Sequence, residues 1–267
     1  LAAVLVVLSL LVGGFLNVVI LRLPIMMFRS WKQDCEQTEL PAHPALNDLS
    51  QPYNLVKPDS HCPKCQAPVK AWQNIPVISW LFLRGKCAGC STKIGLRYPL
   101  VEIVTAVLSV VLLVKFSWGW PLLAMLAFTW LLIAMSVIDI DHQILPDVLT
   151  LSLLWLGLLV NSQGLFTNLH DAVYGAALGY GVLWSVYWLF KLTTGKEGMG
   201  FGDFKLLAAL GAWLGVQSIP LIILLSSVVG AVVGIAGIMI LGRDKNIPIP
   251  FGPYLAAAGW IAALWGD

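Results

Sequence analysis

The chain has 267 residues, of which 58% are hydrophobic and 11% charged, with a net charge of +2 and a mean hydropathy of +0.83. A soluble domain carries about 25% charged residues, so an ordinary water-soluble fold is excluded and an integral membrane protein is implied. The slight positive charge gives no sign of a nucleic-acid partner; the lipid bilayer is the partner that this composition predicts.

Apolar runs that cross, or nearly cross, about 30 Å of hydrocarbon occur at 1–21, 98–116, 120–138, 147–161, 171–190, 204–216, 219–241 and 253–265. They predict an all-α polytopic membrane protein with about eight transmembrane helices. Residues 1–21 form the first helix, 22–97 a polar loop domain, and 98–267 a membrane domain of seven helices. The first run lacks a preceding basic residue and a following small-residue cleavage pattern, and Arg22 follows at once, so it reads as a retained anchor. The chain starts at Leu1, so an initiator is expected upstream.

Lys and Arg placement gives the orientation, because basic residues flanking spans stay in the cytoplasm. With the N-terminus outside, segments 22–97, 139–146, 191–203 with Lys205, and 242–252 are cytoplasmic, and they hold every Lys and Arg except Lys115. In the short loops Lys191, Lys196, Lys205, Arg243 and Lys245 all agree.

Within the loop domain, residues 30–59 are polar, Pro-punctuated and aperiodic, which predicts an irregular connector. Four cysteines follow as Cys62-Pro-Lys-Cys65 and Cys87-Ala-Gly-Cys90, with 21 residues between the knuckles. Two CxxC knuckles at this spacing fit a tetrahedral thiolate zinc site, and a cytoplasmic face argues against disulfides. Four thiolates leave no open position for water, so the metal is structural. His61 is expected to face solvent and Cys35 to be a free thiol. The stretch between the knuckles is compatible with short strands or with a surface helix lying on the bilayer.

Beyond Tyr98 acidic residues are few, and carboxylates at membrane depth are costly enough that they tend to be functional. Asp139 sits where the third run meets the cytoplasm and Asp203 where the sixth leaves it, on the same predicted face. Either acid alone also fits a plain helix end, with Asp203 as an N-cap. Gly198, Gly200 and Gly202 deny side chains to the segment before Asp203, which would let an extended substrate approach. Two acids that share a proton divide the work of peptide hydrolysis between an acid and a base. Asp141, two residues from Asp139, points to nearly the opposite side of a helix.

The motifs "GGFLNVVILRLP" (Gly13 to Pro24), "HCPKC", "GKCAGC", "IGLRYPLVE" (Ile94 to Glu102), "IDIDHQILPD" (Ile138 to Asp147), "GMGFGDFKLLAALGAWLG" (Gly198 to Gly215) and "IPFGPYLAAAG" (Ile249 to Gly259) follow one another in this order. In this respect the chain resembles the type IV prepilin peptidases, and nearly end to end. The resemblance implies an intramembrane aspartyl protease of the GxGD type in a bacterial cytoplasmic (inner) membrane, with the dyad at Asp139 and Asp203. The family pattern, an acid after Ile with five residues between it and Leu-Pro, selects Asp139 over Asp141 and leaves Asp141 and Asp147 as loop or capping residues. It also implies the substrates, type IV prepilins or type II secretion pseudopilins. Their basic leader is cut off after a Gly, and the exposed amine, usually of Phe, is methylated with S-adenosylmethionine.

No Gly-rich dinucleotide loop follows a predicted strand, so a Rossmann-type cofactor domain is not expected. The resemblance points the methyl donor to the loop and its junction with the second span, with Gly85, Lys86, Gly95, Arg97 and Glu102 as candidates. Arg97 and Tyr98 equally suit plain interfacial anchoring. Two readings from other classes compete. A proton-coupled transporter calls for inverted repeats, which the halves do not show. A non-catalytic assembly factor would use the zinc loop only to bind partners.

Overall fold

The computed structural model describes residues 1–34, 43–47, 49–196, 198–242 and 249–266. Cys35, Glu197, Arg243, Asp244, Lys245 and Asp267 lie outside the described residues. The chain forms two compact units, Leu1–Ser117 and Trp118–Asp267.

The first unit is built on two long antiparallel helices, α1 (Ala2–Asp34) and α4 (Arg97–Phe116). They cross at a glycine. A Cβ on Gly13 would lie 2.6 Å from the Cα of Glu102, so only a residue without a side chain allows this approach. One turn away, Asn17 Nδ2 donates to the Tyr98 carbonyl at 3.1 Å. The helix does not stop at Arg22, where a loop is predicted, but continues through Pro24 to Asp34. Phe28 and Arg29 on this extension are buried, and its far turns hold the connector. Arg29 donates to the carbonyls of Ala45, Leu49 and Gln51, and Lys32 to that of Leu46. The expected irregular connector therefore contains the end of α1 and a short helix α2 (Pro44–Asn47). Its fold is set by side-chain donors reading backbone carbonyls, which hydrophobic periodicity does not report.

The rest of the loop holds a 3₁₀ turn (Ala71–Asn74), the short helix α3 (Ile78–Phe82) and, among the described residues, two isolated β-bridges, His61 with Pro68 and Lys86 with Lys93.

The second unit contains α5 (Trp120–His142), α6 (Asp147–Asn161), α7 (Leu169–Thr194), α8 (Phe201–Leu214), α9 (Ile219–Leu241) and α10 (Gly252–Trp265). Every predicted apolar run is thus a helix. Among the described residues five helical segments are long and apolar enough to cross a membrane: α1, α4, α5, α7 and the stretch 216–240, which takes in all of α9 but its last residue. The remaining three, α6, α8 and α10, have 15, 14 and 14 residues.

Helix α8 is apolar all round because it is enclosed; Asp203 and each residue from Leu206 to Trp213 are buried. Against it α7 packs backbone to backbone: a Cβ on Gly211 would meet the Gly175 carbonyl oxygen at 2.2 Å, and one on Gly179 the Leu207 oxygen at 2.6 Å. On the other side Trp213 lies over Gly157 of α6 and donates to the Leu153 carbonyl at 2.7 Å. Asn161 closes that end, donating to the carbonyls of Ala212 and Trp213 while accepting from Phe166 and Thr167. Helix α10 is tied to α5 by Trp260 Nε1, which donates to Thr129 Oγ1 at 3.0 Å.

Since overpacking a close helix contact costs about 1–3 kcal/mol or more, Gly211→Val is expected to lower thermal stability in detergent strongly. Gly181→Ala, on the same pair of helices but with nothing within 4 Å, should leave the melting temperature near that of the unaltered chain.

Candidate active site

Three helix ends meet in the second unit. Asp139 lies in the last turn of α5, buried at 5% exposure, and Asp203 in the first turn of α8, buried at 8%. The two helix ends share Leu145, which a Cβ on Gly202, next to Asp203, would meet at 2.7 Å and one on Gly252, beside the Asp139 carboxylate, at 3.2 Å. Asp139 Oδ2 accepts the Gly252 N–H at 3.0 Å. Gly252 is the first residue of α10, where backbone N–H groups have no partner within the helix and the helix dipole favours an anion. A side chain there is excluded, because a Cβ would stand 2.7 Å from that same oxygen and 3.2 Å from Leu145. Sequence reasoning quoted this glycine in a motif and gave it no role. The available signal was a Gly-Pro step opening an apolar run, the pattern of a helix start.

Asp203 is not the N-cap of α8. That position belongs to Gly200, whose carbonyl accepts the Asp203 N–H at 3.2 Å, and no side-chain capping bond is made. The three glycines before Asp203 also divide. A Cβ on Gly198 would meet the Phe190 ring at 2.9 Å and one on Gly202 the Leu145 side chain at 2.7 Å, whereas at Gly200 the nearest heavy atom is the Asp203 carboxylate at 3.9 Å. Only Gly200 leaves open space beside the acid. The other two serve packing, and Leu145 is wedged against Gly202 and Gly252 together.

Asp141 is exposed, on a different face of α5 from buried Asp139. Asp147, also exposed, opens α6 and pairs with Lys205 of α8 at 2.6 Å. Neither shares the buried site.

In the first unit the four cysteine sulfurs lie within 4.8 Å of one another, with Cys62 to Cys90 at 3.8 Å and Cys65 to Cys87 at 3.9 Å. A tetrahedron of metal–sulfur bonds near 2.3 Å requires sulfur separations of about 3.8 Å, so the donor set fits a metal ion. The knuckles are built alike. The N–H of Cys62 bonds the Ala67 carbonyl and that of Cys87 the Thr92 carbonyl, while Gln66 and Ser91 return N–H groups to Cys62 and Cys87. Gln66 and Ser91 both adopt positive φ, 58° and 57°. Thr92, through its hydroxyl and then its N–H, holds the Cys90 thiol down to about 6. Cys65, although the Ala67 N–H favours its thiolate, is pushed up to about 11 by the neighbouring thiols, Cys90 first. A cation among the four sulfurs removes that repulsion. His61 stays out of the cluster, with Nδ1 2.8 Å from the Asp59 carbonyl oxygen.

The five candidates for the methyl donor lie in the loop and at its junction with α4, and the Gly85 carbonyl accepts the N–H of Ile94, the neighbour of Gly95, at 2.7 Å. Gly85, at φ 65°, packs against the Trp80 ring, and Lys86 bridges to Lys93 beside the second knuckle. Gly95 has only the Arg97 nitrogen within 4 Å of a would-be Cβ. Arg97 opens α4. Glu102, in the second turn, accepts the Val77 N–H at 2.7 Å.

Residues 7–116 match the Bacterial Peptidase A24 N-terminal domain and residues 126–235 the Type IV leader peptidase family. A protein of Stutzerimonas stutzeri named Prepilin leader peptidase/N-methyltransferase is 60% identical over 98% of this chain and 89% of its own length. Proteins of the same name from Aeromonas hydrophila and Neisseria gonorrhoeae are 57% and 51% identical, over 97% and 98% of this chain and 89% of theirs. No solved structure matches the chain. With both of its units matched in this order and nearly all of its length shared with these relatives, the chain belongs to the type IV leader peptidase family.

Proposed function

We propose that this chain cleaves the leader peptide from prepilins and N-methylates the amine that cleavage exposes. The observation that carries the reading is the pair of buried carboxylates, Asp139 and Asp203, brought together at the ends of α5 and α8. Two carboxyl groups in electrostatic reach do not both ionise readily, so the pair holds one proton between an acid and a base. The base removes a proton from water as its oxygen attacks the carbonyl of the scissile Gly, and the acid protonates the leaving nitrogen as the C–N bond breaks. The Gly252 N–H engages Asp139 Oδ2, and Oδ1 is the oxygen we assign to the water. The open side of Gly200 is the approach for an extended peptide. The substrates are type IV prepilins or type II secretion pseudopilins. Their basic leader stays with the first loop in the cytoplasm, and the enzyme crosses the bacterial inner membrane several times.

The metal held by Cys62, Cys65, Cys87 and Cys90 is zinc in this reading, and it staples the loop. Methyl transfer uses S-adenosylmethionine, which supplies a methyl group on a positively charged sulfur to the new amine. The loop and its junction with α4, including Gly85, Lys86, Gly95, Arg97 and Glu102, are where we place its binding.

Asp139→Asn and Asp203→Asn are each expected to lower leader cleavage by about a hundredfold or more in a detergent or proteoliposome assay, with the protein still inserted, while Asp141→Asn keeps most activity. The reverse ranking of Asp139 and Asp141 sinks the assignment. Metal analysis should find zinc equal to the chain in amount, and its loss on replacing any one of the four cysteines by Ser; metal-free protein with intact knuckles contradicts the site. Gly95→Asp should yield cleaved but unmethylated pilin by mass spectrometry. Glu102→Gln, which keeps an oxygen acceptor for Val77, tests the charge of Glu102 apart from its hydrogen bond. Full methylation in both variants removes the two positions from the donor site.

A further inference from the structure

Between Lys70 and Arg84 lie thirteen residues, Ala71 to Leu83, with no charge among them. An apolar stretch of this length is too short to span a bilayer and suits an interfacial or re-entrant position. Trp72, Ile75, Ile78, Leu81 and Phe82 are exposed, Phe82 at 80%. Trp80 faces the other way, donating from Nε1 to the Ile94 carbonyl at 3.2 Å and lying over Gly85. The segment thus has one side built into the loop domain and one bare apolar side.

Its depth follows from contacts within the first unit. The Asn17 to Tyr98 hydrogen bond sets α1 and α4 level at the entry of the span, where Arg97 and Tyr98 are residue types that anchor at the membrane interface. Gly13 and Glu102 lie four residues further along each helix, about 6 Å deeper at 1.5 Å per residue. Val77 donates its N–H to Glu102 at this deeper level, and Pro76 lies 3.5 Å from where a Gly14 Cβ would stand. The start of α3 is therefore held below the level of the interfacial anchors. Backbone in lipid must be internally satisfied, and around α3 five N–H groups are: those of Ile78, Ser79, Leu81 and Leu83 bond to the carbonyls of Pro76, Ile75, Val77 and Ser79, and Val77, held at φ 59°, gives its own to Glu102.

The charge around the segment has one sign. From Ser60 to Val101 there is no acidic residue, while Lys64, Lys70, Arg84, Lys86, Lys93 and Arg97 are basic. Basic clusters beside an apolar face are the pattern that binds anionic lipid headgroups.

We propose that Ala71–Leu83 is a wedge that inserts into the bilayer beside α1 and α4, latched by Glu102 and flanked by Lys70 and Arg84, which meet anionic headgroups. The wedge fixes the height of the metal-binding knuckles above the membrane, since one knuckle lies on each side of it in sequence. This inference stands apart from the reaction assigned to Asp139 and Asp203.

The test uses the full chain in nanodiscs of phosphatidylethanolamine and phosphatidylglycerol, with a benzophenone amino acid placed at position 78 or 82, or at position 64 as a control on the first knuckle. Mass spectrometry after illumination should find lipid adducts at 78 and 82 on the order of tenfold above those at 64. Glu102→Ala should lower the adducts at 78 with the metal content unchanged, and Glu102→Gln should restore them. Adducts at 82 no more frequent than at 64 overturn the wedge. So does preferential crosslinking there to added prepilin or to a second copy of the chain, either of which reassigns the face to a protein partner.

Discussion

A polar group taken out of water must be given a partner inside the protein, and in this chain the partners come from backbone at helix ends. Asp139 illustrates the constraint most directly. Its Oδ2 takes the N–H of Gly252, which α10 itself does not use. That single bond requires α10 to begin at the level where α5 ends, and it requires residue 252 to have no side chain. The α5 to α6 turn must then pass beside it, and Leu145 fills the space between Gly202 and Gly252. The tight backbone contact of α7 with α8 and the Trp213 bond to α6 serve the same end, holding a fourteen-residue helix fixed so that its first turn, with Asp203, stays at that level.

In the first unit buried Arg29 meets the same constraint with a side-chain donor, and Arg22 makes bonds of the same kind in exposed positions. Arg22 on α1 gives its guanidinium to the carbonyls of Asn54 and Pro58, and Arg29, stacked over the Tyr53 ring at 5.6 Å, gives its own to three more. Charge-assisted bonds of this kind are stronger than neutral ones, and an arginine fork spans several carbonyls at once. The basic residues after the first span thus order the chain that leads to the first knuckle.

Much of this was legible in the residues. Apolar runs announced every long helix, and CxxC spacing brought the four thiols together, because both signals are local or carry their own geometry. Asp139 and Asp203 stood out since a carboxylate in an apolar setting is rare. The end of α1 is not legible because its lower turns alternate charge and bulk around Pro24, a pattern that looks like a loop until Phe28 and Arg29 find partners remote in sequence. Gly202 was read as room for a substrate, yet its space is taken by Leu145. Which side chain fills the gap left by a glycine depends on tertiary contact, and no spacing rule encodes it. Gly252 escaped for the same reason, its function lying in a backbone N–H that every residue but proline possesses.

The two knuckles raise a question about size. They repeat the same hydrogen bonds and the same positive-φ position at an offset of 25 residues, and of their four cysteines only Cys62 is buried. Small folds without a core are stabilised by a metal in place of apolar burial, and a four-thiolate site does that for the knuckles themselves. It does nothing for Trp72, Ile78, Leu81 and Phe82, which lie between them and remain exposed. A free loop in water would not be expected to keep so many large apolar side chains on one face. Next to two helices that enter a bilayer, those side chains have an apolar phase within reach. On the proposed reading, a metal at the four thiols closes the ends of this segment and the membrane covers its middle.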